Sequence, residues 1–87
     1  MRFSIYADLS RPLTWVEQGL VFAALDALIP DSGCIGPNRS GDYEVFFTVD
    51  AVTREAAQQA AASYLDAILH RAGVAVTYML TLQPQIG

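Results

Sequence analysis

Residues 33–50 read GCIGPNRSGDYEVFFTVD, and whether this stretch is one ligand-holding loop or two paired strands decides the fold. Its first half sets Gly33, Gly36 and Gly41 around Pro37, Asn38 and Arg39, the residue types a phosphate-cradling loop would use. It lacks the Lys and the Ser or Thr that such a loop needs, and no helix follows to lend an N-terminal dipole to an anion. A strand follows instead. Tyr43, Val45, Phe47 and Val49 alternate with Asp42, Glu44, Phe46, Thr48 and Asp50, which is the period of a strand with one buried face. The preceding residues then serve as turn chemistry, since Pro fixes φ, Gly permits positive φ, and Asn38 or Asp42 can bond local backbone. Cys34 to Gly36 is a short strand, Ser40 to Asp42 a turn, and Arg39 lies at the hairpin tip, where a partner could be contacted.

Upstream of the hairpin, Thr14-Trp15-Val16-Glu17 fits a capping box and opens a helix from Trp15 to Ile29, stopped by Pro30. Before it, Phe3, Ile5, Ala7 and Leu9 alternate with Arg2, Ser4, Tyr6 and Asp8 as a half-buried strand. Downstream, Thr53 caps a helix that runs to Ala72 and ends at Gly73. Val74 to Leu82 alternates again as the last strand. The order β-α-β-β-α-β, with these short connections, is that of a two-layer ferredoxin-like α+β sandwich. It predicts an antiparallel sheet ordered 4-1-3-2, both helices on one face, a single domain over residues 1–82 and a frayed tail at 83–87.

The chain has 87 residues, 53% of them hydrophobic and only 16% charged, with a net charge of −4 and no Lys. An average soluble domain is about 25% charged, so some apolar surface is expected to be shared with another chain. The five Arg residues are scattered, and no basic stripe exists to neutralise phosphates, which argues against nucleic acid. One Cys makes an intramolecular disulfide impossible and suits a reducing interior, so the cytoplasm is the expected compartment. No apolar run approaches a signal peptide or the ~18 residues of a membrane span.

Two surfaces are left in want of a partner. On the first helix Val16, Leu20, Ala23 and Ala27 fill one side and Phe22, Leu25 and Ile29, flanked by Trp15, fill much of the other, although a two-layer fold buries only one. Trp15, Phe22, Leu25 and Ile29 are therefore candidate partner contacts. On the uncovered sheet face Tyr6 and Phe46 fall side by side, with Met79 alongside. In this topology such aromatics can stack RNA bases, but Asp8, Glu44 and Asp50 surround them and the RNA-recognition signature is missing from DYEVFF.

Chemistry has fewer candidates. Cys34 and His70 are the only soft metal ligands, and one of each is not a site, so no metal or cofactor is expected. Glu44 with Asp8 or Asp50 could form a carboxylate pair, which needs burial to tune it for acid/base work. The stretch Asp8-Leu9-Ser10-Arg11-Pro12-Leu13 resembles the opening of the first helix in ACT domains, D-x-P-G-x-L, with Leu13 where that family has its glycine. That resemblance, over six residues, implies amino-acid sensing at the loop before the helix. The expected function is a small non-enzymatic interaction or regulatory module that pairs with itself or docks on another protein. The alternatives are an ACT-like sensor and a cofactor-independent enzyme with a cavity between dimer sheets.

Overall fold

The computed structural model describes residues 1–30, 33–37 and 43–85. Its elements are β1 (Arg2–Leu9), α1 (Trp15–Leu28), β2 (Cys34–Pro37), β3 (Tyr43–Asp50), α2 (Arg54–Ala72) and β4 (Tyr78–Pro84). The strands form one sheet in the order β2-β3-β1-β4, with every neighbouring pair antiparallel. Read from the other end this is 4-1-3-2, the ferredoxin-like sandwich. The hairpin reading of residues 33–50 holds in its two strands, while the tip with Arg39 lies outside the described residues.

β1 is the organising strand, flanked on one side by β3 and on the other by β4. Its inward residues Phe3, Ile5, Ala7 and Leu9 are buried with Val45, Phe47 and Val49 of β3 and Leu82 of β4. α2 lays Ala57, Ala61, Leu65, Ile68, Leu69 and Ala72 onto this core, and α1 adds Val21, Ala24 and Leu25. Tyr64 completes the seam by meeting the buried Phe47 ring edge-on, with centroids 6.1 Å apart.

Both helices begin as their sequence signals require. Thr14 Oγ1 accepts from the Glu17 N–H, and Glu17 Oε1 accepts from the Thr14 N–H, closing the capping box. The Ala56 N–H donates to Thr53 Oγ1 at the start of α2. α2 ends at Gly73, whose φ of 70° is left-handed, and whose N–H returns to the His70 carbonyl.

The last strand departs from expectation at both ends. β4 begins at Tyr78 rather than Val74, because β1 ends at Leu9 and offers Val74 to Val76 nothing to pair with. Val74 instead bonds back to the Leu69 carbonyl and buries its side chain under the helix end. At the far end Gln83 and Pro84 belong to the strand, and Gln85 donates to the Arg2 carbonyl and to Ser4 Oγ, so residues 83–85 of the expected tail are held to the sheet, and 86–87 lie outside the described residues. α1 likewise stops at Leu28, one residue short, because Ile29 precedes Pro30 and leaves the helical region.

A side chain at Gly73 meets no atom within 4 Å, so Gly73→Ala isolates the backbone term. It is expected to cost about 1 kcal/mol and to lower the melting temperature by about 4–8 °C in thermal unfolding. Gly33→Ala acts differently, since its Cβ would stand 2.7 Å from Leu25 Cγ in the core. That overpacking is expected to cost about 1–3 kcal/mol.

Candidate functional site

The open face of the sheet is built in rows by the strand register. Cys34, Phe46, Tyr6 and Thr81 form one row, and Gly36, Glu44, Asp8 and Met79 the next. The structure thus brings Tyr6 and Phe46 together as directly opposed residues, their rings tilted at 53° with centroids 5.1 Å apart. Aromatic pairs favour such tilted contact over a flat sandwich. Each ring covers part of the other, and both are only half-buried. Met79 stands on the neighbouring row and is strongly exposed.

Of the two possible carboxylate pairs, the register selects Asp8 with Glu44. Asp50 is taken by Arg2, whose Nε lies 3.3 Å from its Oδ1. Glu44 is pushed above the ordinary carboxyl range, first by burial and then by the charge and hydrogen bond of Asp8. A carboxyl in that situation holds its proton more tightly than a free one, which is the property a general acid uses.

α1 presents the larger apolar surface. Trp15 is 86% exposed, Val16 68%, Phe22 51% and Leu20 46%. Gly19, Ala23 and Ala27 lie exposed among them, and Asp26 is the only charged residue so placed. This corrects the sequence reading of which side turns inward. Leu25, taken as a partner contact, is 1% exposed and lies in the core with Val21 and Ala24, and Ile29 packs half-buried against it. Val16 and Leu20, projected on the side opposite Leu25, face out. The side with Val21, Ala24 and Leu25 joins the core, and Phe22 turns out with Val16 and Leu20.

The loop between β1 and α1 is closed by its own residues. Arg11 grips Glu17 with both guanidinium nitrogens at 2.8 Å, and Leu13 is buried. The Arg11 bond, followed by the Thr14 backbone bond, holds the Glu17 carboxyl down at about 2. Nothing in the sequence patterning flagged this pair, whose partners are six residues apart across a loop. Another missed contact is Tyr78, whose hydroxyl donates to Asp66 Oδ1 at 2.7 Å and whose pKa is pushed up to about 12, mainly by burial.

Among the described residues no group of three or more His, Cys, Asp or Glu gathers where a metal ion could sit. His70 is exposed in the last turn of α2, and Cys34 carries a free, exposed thiol. No described helix is long and apolar enough to cross a membrane. No family model, curated protein or solved structure matches the chain.

The two perturbed carboxyls set opposite pH trends. Glu17 is lowered from 4.5 to about 2, so its contribution to stability is present above 4.5 and is lost as pH falls toward 2. Glu44 is raised from 4.5, so its charged form is disfavoured in the fold, and its contribution is lost as pH rises through the raised value. Glu44→Gln is therefore expected to raise the melting temperature at neutral pH and to have no effect below 4.5. Arg11→Ala should lower it at neutral pH, with the difference fading toward pH 2.

Proposed function

We propose that the protein is a small non-enzymatic association module whose working surface is the outward side of α1. The observation that supports this is the exposure of Trp15, Val16, Leu20 and Phe22 together on one helix of a chain this small. Isolated exposed apolar residues are ordinary, whereas a contiguous set with large aromatic members marks an interaction surface. The sequence of α1, WVEQGLVFAALDAL, holds two acids and no cation, so it matches an apolar protein surface and not phosphates or anionic lipid. The partner is a second copy of the chain or another protein. The exposed thiol of Cys34 suits a reducing, cytoplasmic setting.

A second reading rests on Glu44 and Asp8. If a partner covered the open face, that pair would lie in an enclosed cavity beside Tyr6 and Phe46, with a raised carboxyl available for acid/base work. The ACT-like reading has less support, because Arg11 and Glu17 already occupy the loop it would use.

The test combines light scattering at micromolar concentration with binding of a dye that reports exposed hydrophobes. Either a mass above the 9.4 kDa monomer, or a monomer that binds the dye strongly, is expected. Phe22→Glu should weaken the dye binding, and any association that buries α1, while the circular dichroism is kept. A 9.4 kDa monomer that leaves the dye unbound would contradict the proposal.

A further inference from the structure

The two edges of the sheet differ in kind. β2, at one end of the order, is four residues long and closes on Pro37, and shortness and proline are ordinary protections against strand pairing. β4, at the other end, runs seven residues as YMLTLQP with no charged side chain. No strand lies beyond it among the described residues.

The bonds to β1 fix where the backbone groups of β4 point. The Ser10 N–H donates to the Thr77 carbonyl at 2.9 Å, and the Gln85 N–H donates to the Arg2 carbonyl at 2.8 Å. Backbone groups alternate in direction along a strand, so the odd-numbered positions from Thr77 to Gln85 face β1 and the even-numbered ones face away. Tyr78, Leu80 and Leu82 therefore each direct one N–H and one carbonyl outward, while Pro84 offers a carbonyl alone. This is a ladder with three donors and no partner strand.

We propose that β4 pairs antiparallel with the β4 of a second copy, across a two-fold axis at Leu80 or Thr81. Either register supplies an acceptor for the outward N–H of Tyr78, Leu80 and Leu82 in both copies, which makes six hydrogen bonds. A same-chain partner is favoured because the surface is self-complementary. The strand carries no charge to repel its copy, although the chain as a whole is at −4. Beside it, the Tyr78 hydroxyl donates to the Ala62 carbonyl of α2, and Ala62 also lines a depression of about 360 Å³ with Glu55, Gln58 and Gln59. Glutamine amides carry both donor and acceptor and can face their own kind.

The result is one eight-stranded sheet in which α1, packed toward β2 at the far side of each copy, keeps its outward surface free. The inference goes beyond the proposed function, and the two fail separately. Pairing through β4 leaves the environment of Trp15 unchanged.

The experiment is amide hydrogen exchange together with light scattering on the whole chain. Expected are twice the 9.4 kDa mass and slow exchange at Tyr78, Leu80 and Leu82. Met79 and Thr81 are exposed; about Leu80 each faces the other across the axis, and about Thr81 the two Thr81 residues face one another, so Met79→Lys with Thr81→Lys sets like charges opposite in either register. That variant should be monomeric, with those three amides exchanging fast and the rest of the fold unchanged. Mixing it with Met79→Glu, Thr81→Glu chains should restore the doubled mass. Fast exchange at the three amides of the wild-type chain, or a dimer that survives the lysine pair, overturns the proposal.

Discussion

A two-layer sandwich gives each helix one side to bury, and α1 carries apolar side chains on two. That constraint organises the molecule. Val21, Ala24 and Leu25 take the core side, pressed so close to the chain at Gly33 that a Cβ there would clash with Leu25. What remains of the helix, from Trp15 to Ala27, is apolar surface without a second layer to cover it. Full burial of one large side chain is worth about 1.5–3 kcal/mol, so leaving Trp15 and Phe22 in water forgoes energy of the same order as the margin by which small domains stay folded. The proposed association surface would recover that energy.

The other surfaces are governed by charge more than by area. On the open face the aromatic pair Tyr6 and Phe46 would suit a partner, yet the adjacent row holds Asp8 and Glu44, and Arg2 is already engaged by Asp50. A second copy laid over this face would have to bury that acidic row. The strand β4 itself carries no charge, and along its outer edge the unmet demand is for backbone hydrogen bonds. Cost and benefit thus separate the three surfaces: apolar side chains on α1, backbone groups on β4, and a guarded carboxyl pair between them on the sheet.

The fold was legible because its signals are local. The alternation in β1 and β3, the capping box at Thr14, the Thr53 cap and Gly73 each act within a few residues, and each appears where its chemistry places it. The start of β4 was not legible, because it depends on where β1 ends, a partner about seventy residues away. The side of α1 that turns inward was not legible for a related reason. Its two stripes are nearly equal in apolarity, and only their fit to the sheet distinguishes Leu25 from Leu20. Of the candidate contacts, Tyr6 with Phe46 could be placed from strand parity alone, whereas Leu25 and Ile29 needed the packed core to show that they were already engaged.

The orientation of α1 carries the rest of the account, and the chain holds one tryptophan with which to measure it. Acrylamide quenching of Trp15 fluorescence in dilute solution tests it directly. The account predicts red-shifted emission, quenched nearly as efficiently as a free indole, while Leu25→Ala strongly destabilises the fold. Blue-shifted, quencher-resistant emission from the dilute folded chain would mean that the Trp15 side of α1 is the buried one, and would contradict the account.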